Sequence, residues 1–259
     1  MNRPVVVKIG GATFGKHDPI LEDIVALQKK GINLVVIHGG GNLVTEWLKK
    51  QNIPTTFVRG ERVTDRASLD VVTAVLCGLA NKQIVGTLTA LGGKAAGISG
   101  VDGGMVQAGI NNKELGYVGA AKSVDASLIN ALLNGGFIPV ISPVSYFGVD
   151  RPADSPVMLN INGDPLAGEI AAAVKASKLI FLTDIAGVMD KDGKLMDKIS
   201  KSQAQELINS GVISGGMIPK ITAAIRAAEA GAVTRIIDGR QPKALIDVIE
   251  NDHTGTVIA

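Results

Sequence analysis

The sequence has few of the features that would indicate a secreted or membrane-embedded protein. Cys77 is its only cysteine, so no internal disulfide can form, and a reducing compartment is expected. No basic segment followed by an apolar stretch opens the chain, and no apolar run is expected to reach the length of a membrane span. These absences predict a cytoplasmic protein.

Aromatic residues and excess charge are also scarce. Aromatics make up 3% of the 259 residues against 46% hydrophobic residues in all, so the core must be largely aliphatic. The formal net charge of +2 is too small to predict binding to nucleic acid or to a membrane surface. Glycine is plentiful, with 32 residues, which is typical of many tight turns between strands and helices. Length and composition predict one large α/β domain or two lobes that share a sheet.

The most informative pattern is an apolar strand that runs into three glycines. The strand is predicted over Ile32–Ile37, Gly39–Gly41 follow, and apolar residues at helical spacing come next. A helix that begins directly after such a turn offers backbone N–H groups and a favourable dipole to an anion. One glycine would suit an ordinary tight turn, whereas three in a row favour a bound phosphate.

A second glycine turn follows the first predicted strand. Val5–Ile9 carries Lys8 and ends in Gly10 and Gly11. If this strand and Ile32–Ile37 are parallel, both glycine turns lie on the same rim of the sheet, where open α/β sheets bind their ligands.

Two further groups of polar residues precede predicted helices. Arg62 lies in a loop, where its guanidinium could bind a carboxylate, although a solvated surface arginine is the simpler interpretation of the loop alone. Asn160 and Asn162 alternate before Asp164, which is predicted to cap the next helix. Capping does not explain the two asparagines, which offer neutral donors and acceptors at the mouth of the sheet.

The last third of the chain repeats this arrangement of strand, loop and helix. Leu179–Thr183 is predicted to be a buried strand that ends at Asp184. Further on, Gly215 and Gly216 lead into a helix with Pro219 predicted at its first position and Lys220 in its first turn. A cation there opposes the helix dipole, so Lys220 is predicted to interact with a bound anion.

In this order, the motifs resemble the amino acid kinase family over essentially the whole chain. Each motif alone is weak, but their order and spacing are specific. They are Lys8-Ile9-Gly10-Gly11, His38-Gly39-Gly40-Gly41, Arg62-Val63-Thr64, Leu115-Gly116-Tyr117-Val118-Gly119, Asn160-Ile161-Asn162-Gly163-Asp164, Leu182-Thr183-Asp184 and Gly215-Gly216-Met217-Ile218-Pro219-Lys220.

The resemblance implies an α/β fold with an open, mainly parallel sheet sandwiched between helices. It implies an acyl-amino-acid-binding lobe over residues 1–178 and an ATP-binding lobe over residues 179–259. The implied reaction, a step of arginine biosynthesis, moves the γ-phosphoryl group of ATP, with Mg²⁺, to the side-chain carboxylate of N-acetyl-L-glutamate. The acceptor is already a carboxylate, so no general base is needed, and catalysis is mostly positioning and electrostatics.

The resemblance also assigns roles to residues of this sequence. The implied catalytic residues are Lys8, Asp164 and Lys220. The implied substrate-binding residues are Gly40, Gly41, Arg62 and Asn160. The implied nucleotide-binding residues are Gly10, Gly11, Thr183, Asp184, Gly216 and Met217. No protein cage for the metal is expected, because nucleotide oxygens and water can hold it.

Two features differ from the family pattern. Glu61 precedes Arg62 where an uncharged residue is usual, which leaves the exact acyl group open. Arginine-inhibited relatives carry an extra N-terminal helix that links dimers into hexamers, and this sequence starts almost directly at the first strand. The resemblance therefore implies a homodimer without arginine feedback.

Three other functions match parts of the sequence pattern. A sister kinase could act on another acidic amino acid, such as a carrier-bound aminoadipate. A non-catalytic sensor of the same fold has no need for Lys8, Asp164 and Lys220 together. A nicotinamide dehydrogenase would need a third glycine after the Gly39–Gly41 turn, and Val44 stands there instead.

Overall fold

A computed structural model of the protein describes residues 2–10, 19–251 and 254–259. The strands in this part of the chain are β1 (Val5–Ile9), β2 (Leu34–His38), β3 (Phe57–Val58), β4 (Glu61–Arg62), β5 (Ala95–Gly100), β6 (Val106–Ile110), β7 (Val118–Val124), β8 (Ile138–Phe147), β9 (Met158–Ile161), β10 (Lys178–Thr183), β11 (Lys198–Ile199), β12 (Val233–Asp238) and β13 (Thr256–Ile258). The α-helices are α1 (Pro19–Lys29), α2 (Gly41–Lys50), α3 (Arg66–Thr73), α4 (Asn81–Ala90), α5 (Ser127–Asn134), α6 (Gly163–Ala173), α7 (Lys201–Asn209), α8 (Met217–Glu229) and α9 (Ala244–Glu250).

All strands except β3 and β4 belong to one sheet. Its order is β11-β13-β12-β10-β1-β2-β8-β6-β7-β9, and β5 also pairs with β8. The strands β12, β10, β1, β2, β8 and β5 run parallel to their neighbours in this series. The second half of β8 pairs with both β6 and β9, and β7 joins those two strands, so four strands close on themselves. The predicted open, mainly parallel sheet between helices is confirmed.

The alternation of side chains along the central strands builds a core on each face. Val5, Val7 and Ile9 pack with α1, α4 and α9 on one side of the sheet. Val6 packs on the other side, with α5, α6 and α8. Because neighbouring side chains of a strand point to opposite faces, Lys8 shares the face of Val6 and lies on the side of α6.

The carboxyl ends of the parallel strands meet along one rim. The backbone N–H of Gly39, after β2, donates to the carbonyl of Ile9 at the end of β1 over 2.9 Å. The N–H of Gly239, after β12, donates in the same way to Thr183 at the end of β10. The two glycine turns that follow β1 and β2 therefore begin side by side, as the sequence predicts.

The sheet continues without interruption across the boundary predicted between the lobes. The strand β10 begins at Lys178 and pairs with β1 over five residues, from Val5 opposite Lys178 to Ile9 opposite Leu182. The division at residues 178 and 179 therefore falls inside β10, after its first residue, and separates two strands that are paired in the centre of the sheet. It stays a prediction about which half binds which ligand.

One helix is longer and more apolar than the sequence analysis expects. The segment α3, the π-helical turn Ala74–Ala80 and α4 form a continuous helix over Arg66–Ala90, which by length and composition alone could cross a membrane. The expectation that no run reaches that length is therefore wrong. Core helices of globular proteins meet the same criterion, and this one packs its apolar side chains against α2, β5 and β8.

Candidate active site

Lys8 lies on the central strand β1, with Ile37 of β2 and Phe181 of β10 as its strand neighbours. Its side chain is almost fully buried, which is costly for an ammonium group without a partner. The partner is Asp164 of α6, whose Oδ1 lies 2.6 Å from the Lys8 Nζ. Gly163 adjoins this contact, since a Cβ there would lie 3.5 Å from the Lys8 Cε, an ordinary van der Waals distance.

Asp164 occupies the second position of α6 rather than its N-cap. The cap is Asn162, whose Oδ1 accepts a hydrogen bond from the backbone N–H of Asp164 over 3.0 Å. The predicted capping role of Asp164 is therefore wrong. Because Asn162 satisfies the helix terminus, both carboxylate oxygens of Asp164 are available for cations.

The second cation comes from α8. The Lys220 Nζ lies 2.9 Å from the Asp164 Oδ2 and also donates to the carbonyl of Gly216 over 3.2 Å. Lys220 is the fourth residue of α8, because the helix begins at Met217 and not at Pro219 as predicted. One carboxylate thus joins two lysines that are 212 positions apart in the sequence.

A close crossing of α6 and α8 sets the distance between Asp164 and Lys220. At the crossing, a Cβ on Gly168 would come within 2.8 Å of the carbonyl oxygen of Ala223. A glycine is therefore needed for the backbones to approach this far. One turn along, Arg226 of α8 pairs with Glu169 of α6 at 3.0 Å, on the exposed side of the same contact.

The two lysines hold Asp164 in its charged form. Burial acts to raise the pKa of this carboxyl, but the charges and hydrogen bonds of Lys8 and Lys220 outweigh it and lower the pKa below its ordinary value of 3.8. The three side chains together carry one surplus positive charge. Such a group suits a bound anion with several negative charges.

The glycine turn after β2 opens directly into α2. Gly40 precedes the helix with a φ of 147°, a conformation that favours glycine, and no side chain in the described ranges caps the helix. At Gly41 a Cβ would meet no atom within 4 Å. Gly41 is therefore not required by the packing of the described residues, and its lack of a side chain keeps the adjoining cleft open.

Arg62 lies beside this turn, on the short hairpin of β3 and β4 rather than in the predicted loop. Its Nη2 donates to the Gly41 carbonyl over 3.0 Å and to the Thr45 Oγ1 over 2.7 Å. Its Nη1 is buried and has no hydrogen-bond partner within the described ranges, and burial lowers the pKa of the guanidinium. Glu61 forms no ion pair with Arg62 in the part of the chain that the structure describes.

Asn160 lines the same cleft as Arg62. Its Nδ2 donates to the Thr64 Oγ1 over 3.2 Å, and that hydroxyl donates to the Arg62 carbonyl over 3.2 Å. The cleft has a volume of about 200 Å³ and is lined by all four predicted substrate-binding residues. Its lining residues are Gly40, Gly41, Val44, Phe57, Gly60, Glu61, Arg62, Val72, Leu76, Val118, Pro143, Asn160, Ile161, Asn162 and Gly163.

The predicted nucleotide-binding residues lie along the rim and at the start of α8. A Cβ on Gly10 would lie 3.3 Å from the carbonyl of Leu182, so Gly10 adjoins the end of β10. Thr183 is buried, and its hydroxyl donates to the carbonyls of Ile185 and Ile237. Asp184 is exposed in the next position, and Gly11 lies outside the described residues.

Gly216 and Met217 complete the predicted nucleotide-binding group. Gly216 is the N-cap of α8, Met217 is its first residue, and no side chain in the described ranges caps this helix. The Lys220 ammonium joins Gly216 to Asp164 through the contacts given above. The helix terminus and the lysine pair are therefore neighbours.

A buried network beneath the glycine turn was not predicted. His38 bonds through Nδ1 to the Gly39 carbonyl at 2.7 Å and through Nε2 to the Asn81 Nδ2 at 3.2 Å. Asn81 also donates to the Val140 carbonyl over 2.9 Å and accepts from Lys82 over 3.1 Å. Burial lowers the pKa of His38 to about 4, so its ring is neutral at pH 7. The polar residues Asn81 and Lys82, directly after the apolar stretch Ala74–Ala80, are the only local signal of this network in the described residues.

Residues 3–238 match the family model of the amino acid kinase family. The chain belongs to this family. It is 48% identical over 257 residues to an acetylglutamate kinase of Dehalococcoides mccartyi, an alignment that covers 99% of this chain and 94% of the relative. It is 42% identical over 259 residues to the acetylglutamate kinase of Cereibacter sphaeroides, covering 98% and 87% of the two chains.

A solved structure gives the same fold. The crystal structure of smu.665 from Streptococcus mutans UA159 superposes with a TM-score of 0.83 at 30% sequence identity. The match covers 100% of this chain and 99% of that one. The order of strands and helices is therefore shared from end to end.

Proposed function

We propose that the chain is an acetylglutamate kinase, which transfers the γ-phosphoryl group of ATP to the side-chain carboxylate of N-acetyl-L-glutamate. Similarity to kinases of that name along almost the whole chain supports the reaction. The structural observation that carries the proposal is the pair of lysines on one buried aspartate, beside a cleft that contains an arginine.

The lysine pair supplies the electrostatic part of the reaction. In phosphoryl transfer, negative charge spreads over the oxygens of the transferred group, and fixed cations lower the free energy of that state. Lys8 and Lys220 are such cations, and Asp164 is a positioning residue that orients both. His38 is neutral and bonded through both ring nitrogens, which agrees with a reaction that needs no general base.

The cleft beside the lysines is the proposed site of the acyl amino acid. Arg62 and Asn160 carry N–H donors at the lining of this cleft, and Gly40 and Gly41 allow backbone to come close to the ligand. Gly163 lines this cleft and adjoins the Lys8 Cε, so the cleft reaches the phosphoryl-transfer centre. A dicarboxylate ligand with one carboxylate bound by Arg62 could therefore direct its other carboxylate towards Lys8.

The proposed nucleotide site lies on the rim formed by β1, β10 and the start of α8. Gly10, Gly216 and Met217 offer backbone beside this rim, and Thr183 and Asp184 border it at the end of β10. Gly11 is proposed to belong to the same site. This placement supports an ATP-binding lobe over residues 179–259 and an acyl-amino-acid-binding lobe over residues 1–178.

We propose that Mg²⁺ enters with ATP. Within the described ranges, no group of three or more His, Cys, Asp or Glu side chains could hold a metal ion. Both oxygens of Asp164 are already engaged by lysines, so the donor set fits an ion held by phosphate oxygens and water. When bound, the ion neutralises charge on the β- and γ-phosphates.

A cytoplasmic homodimer is part of the same proposal, and family resemblance supports it. Sedimentation of the purified protein should give the mass of two chains. Any other mass would contradict this part of the proposal and leave the reaction unaffected.

The decisive experiment traps the acyl phosphate with hydroxylamine in the presence of ATP and N-acetyl-L-glutamate. Formation of the hydroxamate, together with ADP release, supports the proposed reaction. Parallel assays with N-acetyl-L-aminoadipate and a carrier-bound aminoadipate test the sister kinase, for which Glu61 in the cleft is the one favourable observation. A higher kcat/KM for an aminoadipate would replace the proposed substrate, and no turnover with any acceptor would indicate a non-catalytic sensor.

A further inference from the structure

The guanidinium of Arg62 is held from three directions before any ligand binds. Its Nη2 donates to both the Gly41 carbonyl and the Thr45 hydroxyl, at 3.0 and 2.7 Å. The ring of Phe57, which lies opposite Arg62 in the β3–β4 hairpin, covers the guanidinium at 4.9 Å. These contacts involve one nitrogen and one face of the group, and Nη1 keeps no partner within the described ranges.

Thr45 links the arginine to the glycine turn. Its hydroxyl accepts from Arg62 and donates its own proton to the Gly41 carbonyl over 2.9 Å, so both roles of the oxygen are satisfied. Since that carbonyl also accepts from Arg62, the three groups form a closed triangle. Rotation of the guanidinium about its long side chain would break two of these contacts at once.

Comparison with other threonines separates this arrangement from ordinary helix structure. Thr87, Thr89 and Thr222 also donate to the carbonyl four residues earlier, as threonines within helices commonly do. No hydrogen bond to an arginine is found at those three hydroxyls within the described residues. Of these four threonines, Thr45 is the one whose hydroxyl also accepts a hydrogen bond from the arginine of the cleft.

We propose that Thr45 is a positioning residue that presets Arg62 for a carboxylate ligand, with Phe57 as the second support. This inference rests on the proposed function, which places the acyl amino acid in this cleft. An arginine side chain that is already fixed loses little conformational entropy when it binds a ligand. More of the free energy of its contacts with the ligand therefore contributes to affinity.

The test compares Thr45→Val with two matched variants. Valine keeps the shape of threonine but removes the hydroxyl, Thr45→Ser keeps the hydroxyl, and Thr87→Val removes a hydroxyl that has only the helical contact. Steady-state kinetics should show KM for N-acetyl-L-glutamate raised about tenfold in Thr45→Val, the size expected for a lost hydrogen bond to a charged group. The value of kcat and KM for ATP should change less than about twofold, because Arg62 is not among the groups expected to contact the transferred phosphoryl.

Rescue and control distinguish positioning from general loss of structure. Thr45→Ser should restore KM to within about twofold of wild type, and Thr87→Val should match wild type in KM and urea midpoint. An unchanged KM in Thr45→Val, or an equal rise in Thr87→Val, overturns the inference.

A crystal structure of Thr45→Val provides a readout that does not depend on turnover. The Arg62 guanidinium should occupy more than one orientation in this variant, and a single unmoved orientation overturns the inference. If wild type shows no turnover with N-acetyl-L-glutamate, the proposed function fails, and this structural comparison still decides whether Thr45 orders Arg62.

Discussion

Asp164→Asn is the substitution that tests the lysine pair most directly. Asparagine keeps the size of the side chain and can accept hydrogen bonds, but it lacks the charge that both ammonium groups share. The Lys8 and Asp164 side chains are 9% and 6% exposed, and Lys220 is 20% exposed. The substitution therefore leaves one buried cation and one largely buried cation facing each other without a counterion.

The expected losses follow from this burial. Neutralising one partner of a buried ion pair costs about 3–5 kcal/mol, and the partial exposure of Lys220 favours the lower end, about 3 kcal/mol. Because both lysines lose their orientation, kcat should fall at least about 100-fold, the size seen when a fixed electrostatic contact to a transition state is removed. Urea unfolding and coupled ADP release measure the two effects.

The pair Glu169 and Arg226 is a matched control at the same contact of α6 with α8. Its side chains are 33% and 47% exposed, so Glu169→Gln should cost less than about 1 kcal/mol and leave kcat unchanged. ATP should also stabilise Asp164→Asn more than it stabilises wild type, because the nucleotide supplies the missing negative charge. Wild-type kcat in Asp164→Asn, or an equal loss in Glu169→Gln, would refute the assignment of the lysine pair.

Four further predictions concern other parts of the site. Lys8→Arg should lower kcat about 100-fold with little change in KM, since a planar fork cannot replace a compact ammonium; near-normal kcat in steady-state assays removes Lys8 from the transition state. Arg62→Lys should raise KM for N-acetyl-L-glutamate about tenfold, and an unchanged KM excludes it from the substrate site. Gly41→Ala should have a free energy of unfolding in urea within about 0.5 kcal/mol of wild type. Its KM for N-acetyl-L-glutamate should rise about tenfold, because the added Cβ enters the cleft. A normal KM would place the ligand elsewhere. His38 has a pKa of about 4 in the fold against 6.5 ordinarily, so the unfolded chain binds the extra proton. The free energy of unfolding should fall by up to about 3 kcal/mol as pH drops from 6.5 to 4. Urea midpoints measured over this pH range should fall less in His38→Asn than in wild type, and an equal fall in both would contradict the prediction.

The sheet and its rim could be predicted because their signals are local and repeated. Apolar strands such as Val5–Ile9 alternate with helices, and this order forces parallel pairing with the glycine turns at one end. The meeting of Lys8 with Lys220 could not be obtained from local pattern. It required the family resemblance, because Lys8, Asp164 and Lys220 belong to three elements, β1, α6 and α8, that are far apart in the sequence.

Some features of the site were predicted wrongly or missed because the local sequence allows more than one structure. Asn162 and Asp164 are both good helix caps, and only the presence of two lysines decides that the asparagine takes that role. The strands that carry Phe57 and Arg62 have two residues each, too short for any periodicity. Asn81 lies just after a π-helical turn, a shift of register that sequence periodicity does not show.

The net charge at Lys8, Asp164 and Lys220 also depends on how much of the chain has folded. While only β1 and α6 are in place, Lys8 and Asp164 cancel each other, and the pocket has no net attraction for a polyphosphate. The surplus of one positive charge appears when α8 docks and delivers Lys220. Affinity for nucleotide should therefore require α8 to be docked against α6, and a form of the chain without that contact should bind ATP weakly.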